Sequence, residues 1–319
     1  MIHLTHTDLD GIGNIIVNRY FDLRYDRECI VNYEDIETED GQILLSKYFL
    51  GYKKTDGVII TDLSISLKVY RYLVNKFENV FIFDHHEKTA AIAKYKNVFF
   101  DTKRSGTKIY FDWISKKKRV PKILNDFIDL VDVYDIWKLE DPLREQAEDL
   151  NRVFYRVLTY GFDDIKKYNK FIAQQIKKIK DKNNSSFFFD DYEKDKIEEA
   201  KEREESEYEK AVANMQIRDD EWRKTFIIYH GRSKISYVCS RLLEENPKID
   251  YVLNFNTWQP FGKTAISGKV SARSREGFDV TALKGFDGHK QAAGGAFEKS
   301  FIQKIWNRKE YTFGYDEVF

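Results

Sequence analysis

Short apolar runs alternate with amphipathic segments over roughly the first 140 residues of the chain. A short apolar run is typical of a strand buried on both faces, and apolar residues recurring at helical spacing indicate a helix with one face in a core. Strands that alternate with helices indicate a parallel sheet. The pattern predicts strands at residues 2–5, 29–32, 58–61, 80–83 and 98–100, and helices at residues 12–22, 41–50, 65–77, 106–118 and 123–133.

The pattern changes at about residue 145. Residues 164–184 carry an apolar stripe with lysines on the other face, which we interpret as a solvated helix surface; a track for a nucleic-acid backbone is the alternative. Residues 190–210 mix acidic and basic residues densely, as in an exposed helix held by ion pairs. We therefore predict that residues 145–222 form a helical linker.

Short strands return from residue 223 onwards. They are predicted at residues 225–229, 251–255, 264–267 and 269–274, with helices at residues 236–245 and 279–285. The fold class that follows is α/β. We expect an N-terminal parallel-sheet domain (1–144), the helical linker (145–222) and a smaller α/β domain with a mixed sheet (223–319).

Three predicted strands of the N-terminal domain end in residues that can bind a metal ion. Ligands of an open α/β sheet bind at the carboxyl ends of its strands. Carboxylates gathered without a basic residue repel each other unless a cation is present, and imidazole with carboxylate suits borderline divalent metals. The residues are His6, Asp8, Asp10, Asp62, Asp84, His85 and His86.

Each stretch also has a simpler explanation. Asp62 could cap the following helix, which is the commoner use of an aspartate after a strand. The string Asp84-His85-His86 could stand on a loop by chance. Three ligand-bearing strand ends in one sheet favour the metal site.

In the C-terminal domain, small residues surround donors that suit a phosphate. Glycines let a ligand approach the backbone, and the guanidinium of Arg273 matches phosphate oxygens as a planar fork. The alternative is a tight turn under a sheet, with Arg273 on the surface. The candidate substrate-binding residues are Ser271, Arg273, Gly288, His289, Lys290, Gly294 and Gly295.

Composition narrows the class of protein. The 53 basic and 53 acidic residues balance, which argues against a general nucleic-acid coat protein but permits a nuclease with a local basic patch. Cys29 and Cys239 lie far apart in apolar surroundings, so we expect buried thiols and a reducing, cytoplasmic location. No apolar run approaches the ~18 residues of a membrane span.

Taken together, these residues resemble the DHH-family phosphoesterases of the RecJ-like superfamily, most of all the NrnB- and NrnA-type oligoribonucleases. The resemblance covers about residues 1–140 and 223–300, and the middle segment matches no known pattern. Phe286-Asp287 departs from the family, where many members carry more glycines. The matching motifs are His6-x-Asp8-x-Asp10-Gly11, Asp62 and Asp84-His85-His86, then Ser271-x-Arg273-Ser274 and Gly288-His289-x-x-Ala292-Ala293-Gly294 of a DHH-associated domain.

The resemblance implies two divalent ions, with Mn²⁺ expected and Co²⁺ or Mg²⁺ as alternatives. His6, Asp8 and Asp62 would hold one ion, and Asp10, Asp62, His85 and a fourth-motif aspartate the other. That aspartate is Asp135 or Asp132, and the family's Asp-x-Trp pattern favours Asp135. His86 would face the scissile phosphate, and Asp84 would orient the histidines.

The implied activity is hydrolysis of short oligonucleotides to mononucleotides, with the C-terminal domain gripping the far end of the substrate. Cyclic or linear dinucleotides and phosphoadenosine phosphate are alternative substrates. A binding protein that kept the fold and lost the chemistry is an alternative of another class. Substrate length, RNA or DNA preference, direction of attack and homodimer formation stay open.

Overall fold

The computed structural model describes residues 1–37, 41–116, 118–138, 140–158, 164–220, 223–231, 233–256 and 267–298. The chain forms two compact units, Met1–Ile197 and Glu198–Phe319. The strands of the first unit are β1 (Ile2–Thr5), β2 (Arg27–Ile30), β3 (Gly57–Thr61), β4 (Asn79–Asp84) and β5 (Val98–Phe100). Its helices are α1 (Leu9–Tyr20), α2 (Leu67–Lys76), α3 (Gly106–Ser115), α4 (Lys122–Asp135), α5 (Arg144–Leu158) and α6 (Asp164–Lys180). Helix α7 (Asp191–Asn214) crosses the boundary between the units.

The five strands of the first unit form one parallel sheet in the order β2-β1-β3-β4-β5. All five were predicted from the sequence. Chain order reverses at β1, because β2 lies on one side of it and β3 on the other. Thr5 pairs with Thr61, and Thr61 pairs with Phe83, so the carboxyl ends of β1, β3 and β4 lie side by side. Such a switch point is where open α/β sheets bind their ligands.

Each face of this sheet packs into its own core. One core holds buried apolar residues of α1, α3 and α4, and the other holds Val69 and Leu73 of α2. Helices α5 and α6, which the sequence analysis assigned to a linker, contribute Phe154 and Phe171 to the first core. Their apolar stripes are buried within the first unit.

One predicted helix forms a 3₁₀ turn instead, and another is present but less exposed than predicted. Residues 41–50 contain a 3₁₀ turn, Leu45–Phe49, and an isolated bridge between Glu37 and Ile43 instead of an α-helix. Helix α7 is less exposed than its composition indicated, because Ile197 packs in the core of the first unit and Tyr208 and Ala211 in a core of the second. A few apolar residues at helical spacing are enough for one buried stripe.

The second unit holds a six-stranded sheet in the order β10-β11-β9-β8-β7-β6. The strands are β6 (Gln216–Asp219), β7 (Thr225–His230), β8 (Tyr251–Asn256), β9 (Ser267–Ser274), β10 (Asp287–His289) and β11 (Ala292–Glu298), and the helix is α8 (Ile235–Glu245). Only β7 and β8 run parallel, so the sheet is mixed, as predicted.

The second unit differs from the sequence prediction in a few short segments. The predicted strand at 264–267 falls largely outside the described residues, and β9 begins at Ser267. The predicted helix at 279–285 is only a 3₁₀ turn, Val280–Ala282, and strand β6 was not predicted. Both cysteines are free and buried, as expected. Among the described residues, no helix combines the length and apolar character required to cross a membrane.

Candidate metal centre

Side chains from three strand ends and one helix end converge at the switch point of the first sheet. Within each of three groups, possible ligand atoms lie no more than 4.8 Å apart. Asp62 belongs to two groups and His85 to two, so the groups adjoin. The groups are His6, Asp8 and Asp62; Asp10, His85 and Asp135; and Asp62, Asp84, His85 and His86.

His6 and Asp8 come from the turn between β1 and α1. Asp8 is the N-cap of α1, and its Oδ1 accepts a hydrogen bond from the backbone N of Gly11 at 2.9 Å. Its Oδ2 lies 2.8 Å from Nδ1 of His6. A Cβ at Gly11 would stand 2.1 Å from the carbonyl oxygen of His6, so only glycine lets the turn close this tightly. Burial alone would raise the pKa of Asp8, but the hydrogen bond and charge of His6 hold it below its ordinary value.

Asp62 follows β3 in an unusual backbone conformation. Its φ is +53°, in the left-handed region that non-glycine residues rarely adopt, and the residue is 1% exposed. It does not cap the next helix, because Ser66 is the N-cap of α2. A Cβ on Gly106 would stand 2.7 Å from Cβ of Asp62, so Gly106 leaves the space that this side chain fills. A strained, buried carboxylate between two ligand groups fits a functional position better than a capping one.

Asp10 ties the centre to α3. Its two carboxylate oxygens accept hydrogen bonds from the backbone N of Gly106 at 2.7 Å and of Thr107 at 2.9 Å. The first turn of α3 is therefore satisfied by a side chain of α1, where the helix dipole favours a negative charge. Burial and the charge of Asp8 nevertheless raise the pKa of Asp10 to about 6.

The side chains of Asp135 and Asp132 have different partners. Asp135 ends α4, and its Oδ2 lies 3.2 Å from Nε2 of His85. Asp132 points elsewhere, because it accepts hydrogen bonds from the backbone N of Ser105 and from Nζ of Lys138, both at 2.7 Å. Of the two aspartates, only Asp135 joins a ligand group.

In the segment Asp84-His85-His86, the two histidine side chains have different partners. Nε2 of His85 lies 3.4 Å from Oδ1 of Asp62 and so faces the ligand groups. Nδ1 of His86 is 2.7 Å from Oδ1 of Asp84, whose other oxygen accepts a hydrogen bond from Thr89. Burial would lower the pKa of His86, but Asp84 raises it above its ordinary value. Asp84 is thus placed to orient His86.

We name Asp8, Asp10, Asp62 and Asp135 the carboxylate cluster. Within the described part of the chain, no lysine or arginine forms an ion pair with any of the four. Burial, followed by the charges of Asp10 and Asp8, raises the pKa of both Asp62 and Asp135 well above the ordinary value. Oδ2 of Asp62 and Oδ2 of Asp135 are buried and accept no hydrogen bond from a described residue. Buried carboxylate oxygens without donors, beside imidazoles, fit the donor set of a divalent cation.

The candidate residues of the second unit occupy its β9–β11 sheet. Ser271 of β9 pairs with Gly294, and Arg273 donates hydrogen bonds to the carbonyl of Ala272 at 2.8 Å and to Oγ of Ser236 at 3.0 Å. Gly288 has φ +141°, and a Cβ on Gly295 would stand 2.3 Å from a carbonyl oxygen. The β10–β11 hairpin therefore requires Gly288, and the close approach of the Gly285 carbonyl requires Gly295. Lys290 is exposed at the turn, and the side chain of His289 lies outside the described residues.

Four residues that contact the centre were not identified from the sequence. Tyr33, just after β2, contacts both His6 and His86. Thr89 bonds Asp84, and Gly106 and Thr107 bond Asp10; the run Ser105-Gly106-Thr107 was interpreted only as a helix cap. Single polar residues carry no local pattern, so only their contacts reveal them.

Comparison with known proteins adds one relative by sequence and several by fold. The chain is 25% identical over 316 residues to the oligoribonuclease NrnB of Bacillus subtilis, covering 92% of this chain and 72% of the relative. No protein-family model matches the chain.

Two solved structures share the fold over most of both chains. A pGpG-specific phosphodiesterase from Vibrio cholerae superposes with a TM-score of 0.58 at 12% identity, covering 95% of each chain. The exonuclease RecJ bound to manganese superposes with a TM-score of 0.53 at 15% identity, covering 97% of this chain and 89% of RecJ. The ligand motifs, the shared fold and the similarity to NrnB point the same way, and the chain resembles the RecJ-like DHH phosphoesterases.

Proposed function

We propose that the protein is a metal-dependent phosphodiesterase that hydrolyses short oligonucleotides, including linear dinucleotides, to mononucleotides. The observation that carries the proposal is the carboxylate cluster with His6 and His85, whose ligand atoms fall into adjoining groups, each no more than 4.8 Å across, that are linked through Asp62 and His85. The similarity to an oligoribonuclease and the fold shared with a dinucleotide phosphodiesterase and an exonuclease support the same reaction class.

The residues divide into two ligand sets that share Asp62. In this proposal His6, Asp8 and Asp62 hold one divalent ion, and Asp10, Asp62, His85 and Asp135 hold the other. Mn²⁺ suits the mixture of imidazole and carboxylate, with Co²⁺ and Mg²⁺ as alternatives. When bound, such ions activate water and stabilise the charge on a phosphodiester's leaving oxygen.

The chain's own groups complete the chemistry. The imidazole of His86 is oriented by Asp84 at 2.7 Å and lies outside the two ligand sets, so we assign it to the hydrogen bonding around the substrate, directly or through a neighbouring group. The segment Gly288–Gly295 and Arg273 of the second unit are proposed to bind a phosphate of the substrate away from the cut. A charge-assisted bond to phosphate is roughly twice as strong as a neutral one.

The test is hydrolysis by the purified protein with Mn²⁺, Co²⁺ or Mg²⁺. The substrates are a linear dinucleotide, end-labelled RNA and DNA of five residues, a cyclic dinucleotide and phosphoadenosine phosphate. We expect mononucleotides from the dinucleotide and the five-residue RNA, and no product in chelator. Turnover of the cyclic dinucleotide or of phosphoadenosine phosphate alone would replace the proposed substrate class.

Asp8→Asn serves as the inactive variant and Asp129→Asn as its matched control. Asp129 lies on α4 and pairs with Lys108 at 2.9 Å, outside the ligand groups. Nucleotide binding by wild type without hydrolysis in any metal would refute the enzyme and favour a binding protein. Full activity of Asp8→Asn would refute the proposed ligand sets.

A further inference from the structure

A fourth strand end contributes to the centre through an aromatic residue. Strand β2 lies beside β1, and the backbone N of Val31 donates a hydrogen bond to the carbonyl of Thr5 at 2.8 Å. Both strands therefore end at the same edge of the sheet. Tyr33 begins a 3₁₀ turn two residues later. Its ring stacks on His6 with centroids 4.2 Å apart, and its hydroxyl lies 2.8 Å from Nε2 of His86.

Asp84, His86 and Tyr33 form a hydrogen-bonded row that leads outward. Asp84 is fully buried, the side chain of His86 is 17% exposed and Tyr33 is 38% exposed. Nδ1 of His86 faces Asp84 and Nε2 faces Tyr33, so each ring nitrogen already has a protein partner. A substrate approaching from solvent meets the phenol at the end of the row.

Building on the proposed function, we propose that Tyr33 is a catalytic residue whose hydroxyl donates a hydrogen bond to the leaving oxygen of the phosphodiester, and that His86 positions this hydroxyl. Nδ1–H of His86 donates to the carboxylate of Asp84, so Nε2 donates to the hydroxyl of Tyr33 when the ring carries both protons, and the phenol hydrogen then points to the substrate. The ring is held by its face against His6 and by an edge contact with His86, whose centroid is 5.4 Å away. The donor is therefore preorganised, as transition-state stabilisation requires.

The decisive variant is Tyr33→Phe, which keeps the ring and removes the hydroxyl. We expect kcat on a linear dinucleotide to fall roughly a hundredfold or more, the usual effect of deleting one preorganised donor. On bis(4-nitrophenyl) phosphate, whose leaving group departs without help, we expect a change of less than about threefold. Mn²⁺ binding, measured by electron paramagnetic resonance, should match wild type because the contact with His6 remains.

The matched control is Tyr70→Phe. Tyr70 stacks on Tyr95 at 4.5 Å in the core on the other side of the sheet, so its hydroxyl has no part in the centre. A second comparison uses His86→Asn alone and combined with Tyr33→Phe. If His86 acts through Tyr33, the double variant will be no slower than the slower single variant.

The outcomes are distinguishable. If wild type is active and Tyr33→Phe is equally active on the dinucleotide, the inference is wrong and the proposed function stands. Equal losses on both substrates with weaker Mn²⁺ binding would make Tyr33 a support for His6 and overturn the catalytic role. Multiplying losses in the double variant would show that His86 reaches the substrate independently. A wild type without hydrolysis would refute the proposed function and this inference together.

Discussion

Replacing Asp62 by Asn separates the two opposite effects that the carboxylate cluster has on stability. Without metal, burial raises the pKa of the Asp62 carboxylate, and the like charges of Asp10, Asp8 and Asp135 raise it further. Asp62→Asn removes one of these charges at almost constant shape. We therefore expect the variant to melt at a higher temperature than wild type in chelator.

With bound metal, we expect the opposite order of melting temperatures, with wild type above Asp62→Asn. An ion that binds only the folded state at 100 times its Kd stabilises it by about 2.7 kcal/mol, which is roughly 5–10 °C in Tm for a unit of this size. A charge-assisted ligand bond contributes roughly 1.5–3 kcal/mol, so its loss weakens Kd about tenfold to a hundredfold. At a hundredfold weaker Kd, the same Mn²⁺ concentration stabilises by only about 0.4 kcal/mol, or roughly 1–2 °C.

Thermal melts followed by circular dichroism, in chelator and across a Mn²⁺ titration, measure both effects. Asp129→Asn is the control, and it should show the wild-type response to Mn²⁺ because that side chain pairs with Lys108 outside the cluster. A lower Tm than wild type in chelator, or a full Mn²⁺-induced shift, in Asp62→Asn would refute these roles of Asp62.

Three further predictions use the same site and the second unit. Asp135→Asn should lose the Mn²⁺-induced rise in Tm, whereas Asp132→Ala should keep it and lose roughly 1–3 kcal/mol of stability, because the buried N–H of Ser105 loses its acceptor; a normal Mn²⁺ response in Asp135→Asn would contradict this. In chelator, the pKa of Asp10 is raised from 3.8 to about 6. Its contribution to the free energy of unfolding is therefore present below pH 4 and is lost as the pH rises through 6. The difference in unfolding free energy between wild type and Asp10→Asn, measured with urea, should therefore change by roughly 3 kcal/mol between pH 4 and pH 8. A pH-independent difference would exclude this linkage. Arg273→Ala should lower kcat/KM on a linear dinucleotide about ten- to a hundredfold and hardly affect bis(4-nitrophenyl) phosphate. Equal losses on the two substrates would assign Arg273 to the fold, through its bond to Ser236.

The sequence by itself was enough for the strands of the first sheet and for most of the ligand candidates. Strands such as β3 and β4 are buried on both faces, so their apolar runs are unbroken and stand out from the helices between them. The ligand candidates could be found because a parallel sheet places functional residues directly after its strands, as Asp62 and His85 are. A family resemblance then assigned them to metal positions.

Local pattern was a weaker guide where packing decides the outcome. The segment 41–50 has helical spacing, but it is too short to offset the free-energy cost of helix nucleation by itself, and it contains a 3₁₀ turn. The charged composition of α7 concealed the stripe formed by Ile197, Tyr208 and Ala211. Whether such a stripe is buried depends on the elements that face it.

Only the tertiary structure decided how the centre is built. It places Asp135, which the family resemblance already favoured, in a ligand group, whereas the backbone of Ser105 and the side chain of Lys138 bond Asp132. It brought Tyr33 against His86 across 53 positions in sequence. These choices depend on strand order and on contacts between distant residues, whereas the strands and their ligand-bearing ends follow from the spacing of neighbours along the chain.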